Sequence, residues 1–133
     1  MKITKFTIQS NQHHDFTMYT LSSAVKDYTM AFLLNKLLKI NLTRQDDLPV
    51  YINLKSPTIW SLYFFKKDHL TEYYLIQNLE EQNQLMNNFL LIIQGHTYED
   101  DIFMNMIGKS REILDINRIF LHDSSKTKTD KTV

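Results

Sequence analysis

This 133-residue sequence predicts a single α+β domain over residues 1–122: a mostly antiparallel sheet of five to seven strands with two main helices packed on one face. Three observations carry that expectation. The run Phe89-Leu90-Leu91-Ile92-Ile93, closed by Gln94-Gly95, holds five large apolar residues and no charge. A strand with one wet face would alternate, so the run reads as a strand buried on both faces and as the spine of the fold. Short β-branched or aromatic runs, separated by polar turns, lie on the N-terminal side of it. Two stretches, near 24–39 and 97–114, repeat apolar residues at helical spacing.

Taken in order, residues 2–9 set Ile3, Phe6 and Ile8 among Lys2, Thr4, Lys5 and Thr7, which reads as a strand. After the polar turn at 10–15, the alternation in Phe16-Thr17-Met18-Tyr19-Thr20-Leu21 gives a second strand, expected to pair with the first as a hairpin. Ser22 or Ser23 can cap a helix over 24–39. Its Met30, Ala31, Leu34, Leu37 and Leu38 fall on one side, opposite Lys26, Thr29 and Lys36. Tyr28, Phe32, Asn35 and Lys39 lie at one border of the core side, so apolar character runs past what one sheet covers. Two explanations stay open there: the loop at 41–49 folds over the border, or a partner sits on it.

Residues 50–54 suggest a short edge strand before the Ser56-Pro57 break. The aromatic run 58–65 and the run 71–77 form a hairpin through Lys66-Lys67-Asp68-His69. Residues 79–88, rich in Glu, Gln and Asn, connect to the spine strand. Past Gly95, Thr97 and Asp100 have capping-box spacing, and a helix to about Leu114 follows. It is expected to lay Tyr98, Ile102, Met106 and Ile113, with Phe103, Ile107 and Leu114 on the adjacent row, against the sheet. Gly108 in its interior costs about 1 kcal/mol against Ala and marks close packing or fraying. Ile116, Ile119 and Leu121 make a last strand, and residues 123–133 are expected as a disordered tail. Burial of both spine faces implies that the far side of the sheet is also covered, by a long loop or by a second copy of the chain.

Composition excludes several chemistries. Fifteen basic and fifteen acidic side chains cancel, so no overall field draws the protein to nucleic acid or an anionic bilayer. With no cysteine there are no disulfides, thiol catalysis or thiolate metal ligands. Two glycines cannot build a phosphate-cradling loop. The N-terminus lacks the apolar run of a signal peptide and no segment is long and apolar enough to span a bilayer, so the expected setting is cytoplasmic, with no membrane partner.

The candidate sites are few. His13-His14-Asp15 offers three ligand types in a row, but adjacent residues of a turn point apart, and the other histidines fall in separate connections, so no metal and no cofactor are expected. His96 beside Glu99, Asp100 and Asp101 has the makings of a general base pair, yet acids in a helix's first turn meet its dipole without any chemistry. Trp60, Tyr63, Phe64, Tyr73 and Tyr74 would serve as a base-stacking platform only if Trp60 and Tyr73 stood side by side on an open sheet face with a basic rim. That leaves the border residues Tyr28, Phe32, Asn35 and Lys39 as the candidate partner surface, since aromatics with polar neighbours anchor protein interfaces.

Asp27-Tyr28, Ala31-Phe32, Leu34-Asn35-Lys36 and Leu38, then Leu42, Arg44, Asp47-Leu48, Ser61-Leu62-Tyr63, Tyr73-Tyr74-Leu75-Ile76 and the run from Phe89 to Gly95 together resemble a small Bacteroidota family. The family, IPExxxVDY, is named for I-P-E, three variable residues and V-D-Y. The likeness covers roughly 21–121; the naming positions hold Glu81-Gln82-Asn83 and Asn87-Asn88-Phe89 here. The resemblance implies a bacterial cytoplasmic protein and carries over no catalytic residue. The expected function is a non-enzymatic protein-binding or assembly module, with a second copy among its candidate partners. The alternative is an enzyme or small-ligand domain with a pocket between sheet and helices; single-stranded RNA binding is a third.

Overall fold

A computed structural model describes residues 16–51, 56–83, 85–95 and 99–120. Seven strands form one antiparallel sheet: β1 (Phe16–Ser23), β2 (Thr43–Arg44), β3 (Leu48–Val50), β4 (Thr58–Lys66), β5 (Glu72–Asn78), β6 (Asn87–Gln94) and β7 (Ile113–Ile119). Their order is β2-β4-β5-β6-β1-β7, with β3 also paired to β4. Helix α1 (Asp27–Leu38) follows β1, and α2 (Asp100–Ile107) precedes β7. The α+β class, the strand count and the two helices on one face are as the sequence predicts.

The apolar run occupies β6, flanked by β5 and β1, with Leu91, Ile92 and Ile93 all buried. On the helix side, Met30, Ala31, Leu34 and Leu38 of α1 and Phe103 and Ile107 of α2 pack on Tyr19, Leu21, Tyr73, Leu75, Phe89, Leu91 and Ile93. Leu37, expected in the core, is only half-buried at its edge. On the far side, Leu48, Leu62, Ile76 and Ile92 form a second cluster, bordered by half-buried Phe16, Met18, Trp60 and Tyr74. No described helix covers that side.

Several expectations need correction. Both edges of Met18–Ser23 are taken, by β6 and β7; residues 2–9, expected to pair with this strand as a hairpin, lie outside the described residues. Neither Ser22 nor Ser23 caps α1. The helix begins at Asp27, its N-cap is Lys26 without a side-chain bond, and the buried Ser23 hydroxyl instead donates to the Glu112 carbonyl and accepts from the Val25 N–H at 3.2 Å. The region 41–49, read as a connection, contains β2 and the start of β3, so the described edge strand, Leu48–Val50, begins two residues earlier than expected; residues 52–55 lie outside the described residues.

The second helix stops at Ile107. Gly108 ends it, and Ile113 and Leu114 belong to β7, whose Ile-Leu-Asp-Ile-Asn-Arg-Ile sequence continues the apolar spacing by coincidence. Of the expected stripe, Phe103 and Ile107 are buried while Ile102 is 47% exposed. Thr97 and Tyr98, like the tail 123–133, lie outside the described residues.

Gly95 closes β6 with φ +101°, a conformation few side chains tolerate. A Cβ there would stand 1.5 Å from the Leu70 carbonyl oxygen, so the turn before β5 is seated directly on this backbone.

Candidate functional site: the outer side of the first helix

Helix α1 buries one side, through Asp27, Met30, Ala31, Leu34 and Leu38, and shows the other to solvent. Tyr28 and Phe32, one turn apart, are 62% and 64% exposed. The chain after the helix does not cover them. Asn35 instead takes both backbone groups of the buried Leu42: its Oδ1 accepts from the Leu42 N–H at 2.7 Å, and its Nδ2 donates to the Leu42 carbonyl at 3.3 Å. Of the four sequence-predicted surface residues, Tyr28, Phe32 and Lys39 are thus exposed, while the Asn35 amide is engaged in the fold. Lys39 ends the helix at φ 57°, with its N–H on the Asn35 carbonyl. Glycine usually fills this left-handed position.

Each helix is fixed at its start by a carboxylate, an arginine and a tyrosine. At α1, the Arg44 Nη1 of β2 donates to the buried Asp27 Oδ2 at 2.8 Å and its Nη2 to Asp47. The Tyr63 hydroxyl of β4 donates to the same Asp27 oxygen at 3.3 Å, and the guanidinium lies 5.4 Å from the Tyr63 ring centroid. Burial pushes the Tyr63 phenol upward from its ordinary range. At α2, the Arg118 Nη1 of β7 donates to Asp100 Oδ1 and Oδ2 at 2.6 and 2.8 Å, and the Tyr19 hydroxyl of β1 donates to Oδ1 at 2.7 Å. Burial, then the bond to Asp100, push the Tyr19 phenol well up. The Tyr19 hydroxyl and then Arg118 hold the Asp100 carboxyl below the usual carboxylate range.

These clusters are sound as fasteners and poor as reaction centres, because Asp27 and Asp100 are each already paired with a guanidinium and a hydroxyl, and Asp47 with the Arg44 guanidinium. Sequence reading missed both, since the partners stand 17, 36, 18 and 81 residues apart. One signal was available: Arg118 occupies the helix-facing register of β7, opposite Tyr19, where an apolar residue is the norm.

His13, His14, His96 and His122 lie outside the described residues, His69 is exposed in the β4–β5 turn, and no group of three metal-binding side chains converges among the described residues. Trp60 lies on the far side of the sheet, opposite Asn78, while Tyr73 is buried on the helix side opposite Phe65. The side-by-side arrangement a stacking platform requires is therefore not formed. No described helix is long and apolar enough to cross a membrane.

No protein-family model matches the chain, and no curated protein matches it.

Proposed function

We propose that this protein is a non-enzymatic binding module, acting in the bacterial cytoplasm through protein contacts made by the outer side of α1. The observation that carries the reading is the pair Tyr28 and Phe32: two large aromatics, each more than three-fifths exposed, held one turn apart on a helix whose opposite side is packed. A rigid helix presenting aromatic side chains loses little conformational entropy on binding, which suits interface anchors. Lys39, exposed at the C-terminal cap of the same helix, adds a charged residue to that surface. The cytoplasmic setting rests on the family resemblance, and a cysteine-free chain needs no oxidising compartment to hold its fold.

The test is affinity capture from source-cell lysate, with wild type and Phe32→Asp run in parallel. Phe32 is exposed, so the variant is expected to keep its stability within about 0.5 kcal/mol while losing at least one protein the wild type recovers. Identical recoveries from two folded baits would remove the proposal. Sedimentation velocity of both baits adds the self-association arm: a dimer abolished by Phe32→Asp identifies the partner as a second copy.

A further inference from the structure

Beyond the aromatic pair, the outer side of α1 becomes one wall of an open groove of about 410 Å³, closed on the other side by the turn between α2 and β7. Leu33 and Leu37 give it an apolar floor, and both remain half-buried. Its rim carries three cations, Lys36, Lys109 and Arg111, against one carboxylate, Glu112. That carboxylate accepts from the Ser110 hydroxyl at 2.8 Å, and this bond, helped by the nearby Arg111 and Lys36 charges, holds it below the usual carboxylate range, so it offsets part of the rim's positive charge. Among the described residues none of the three cations forms an ion pair. The chain as a whole is neutral, yet α1 and its two caps expose Lys26, Lys36 and Lys39 with no exposed acid, since Asp27 is buried against Arg44. Positive charge beside a half-buried leucine floor is thus in excess here, three cations against the single carboxylate of Glu112.

A cation near a helix C-terminus is ordinary, because it meets the negative end of the dipole, and Lys36 and Lys109 both qualify. Arg111 does not, lying four residues past the end of α2. The leucines also gain nothing from the dipole. Nucleic acid is the less suitable polyanion: it calls for stacking aromatics along a cationic track, whereas this floor is aliphatic.

We propose that the groove receives an acidic, leucine-bearing segment of a partner protein, its apolar side chains on Leu33 and Leu37 and its carboxylates on Lys36, Lys109 and Arg111. This rests on the protein-binding reading of α1 and gives that partner its chemistry.

The test uses three fluorescein-labelled probes: a short peptide of leucines and glutamates at helical spacing, the same peptide with glutamine for glutamate, and a single-stranded oligonucleotide of equal length. Fluorescence anisotropy is read at low and at moderate salt. The glutamate peptide is expected to bind saturably, more tightly than its glutamine counterpart, and more weakly as salt rises. Lys109→Glu combined with Arg111→Glu, both at exposed positions, is expected to weaken it about tenfold. Equal binding of the two peptides, no saturable binding of the glutamate peptide, tighter binding of the oligonucleotide, or indifference to the double substitution would each overturn the assignment. The last result together with a protein lost by Phe32→Asp would sink the groove and leave the aromatic surface standing.

Discussion

The starts of α1 and α2 are fastened by the same three residue types, and the two fasteners differ in how much water reaches the carboxylate. Asp27 keeps 8% of its side chain exposed and Asp100 40%. Around Asp27 the arginine is shared with a second acid and the tyrosine bond is long; around Asp100 one guanidinium nitrogen spans both oxygens and the tyrosine bond is short. Helix α1 buries four apolar residues besides Asp27, whereas α2 buries two. The helix with the larger apolar contact therefore carries the buried ion pair, and the smaller helix relies on a wetter one with better hydrogen bonds. Burial raises what is lost when a partner is removed, while geometry decides what an intact bond contributes.

Arginine removal probes this difference most strongly. Arg44→Ala leaves a nearly buried carboxylate with one long hydroxyl bond and is expected to cost about 3 kcal/mol in urea denaturation. Arg118→Ala leaves a carboxylate that water reaches and is expected to cost about 1 kcal/mol. Equal losses would show that burial does not separate the two fasteners.

The tyrosines reverse the order. Tyr19→Phe removes the short bond and is expected to lose about 1 kcal/mol, against roughly 0.5 kcal/mol for Tyr63→Phe with its long one. A larger loss from Tyr63→Phe would show that distance is not the controlling variable.

The smallest effect is in acid. The Asp100 carboxyl titrates lower in the folded protein than in the unfolded chain. Its contribution is complete above the unfolded range near about pH 4 and is lost as pH falls through the folded value. The stability gap between wild type and Asp100→Asn should therefore narrow as pH falls below about 4. A constant gap would mean that Asp100 ionisation does not stabilise the fold.

The strands and the core side of α1 were legible because each is written in local periodicity: β1 alternates buried and half-buried along its length, and Leu91-Ile92-Ile93 is buried without a break. The outer border of α1 was legible for the same reason, as apolar residues lying off the buried arc. The length of α2 was not, since Ile113 and Leu114 continue a helical spacing that only the Gly108-Lys109-Ser110 turn interrupts. Strand β2 has two exposed residues and pairs through backbone groups that leave no pattern in the side chains. Ser23 looked like a cap because it is a serine before a helix; its hydroxyl is drawn to a carbonyl 89 residues away. The fasteners, and the groove whose walls come from residues 33–37 and 109–112, exist only once distant segments meet.

The seat of Leu70 on Gly95 also bears on how freely this sequence can drift. At most positions a substitution trades one packing arrangement for another, but here the space a side chain would need is filled by another residue's peptide group, which no rotamer change can clear. In a library of random variants, position 95 should be the most sharply depleted in the chain. Variants that survive a change there should carry a second change in the preceding turn, at residues 68–71, so the two segments are bound to vary together.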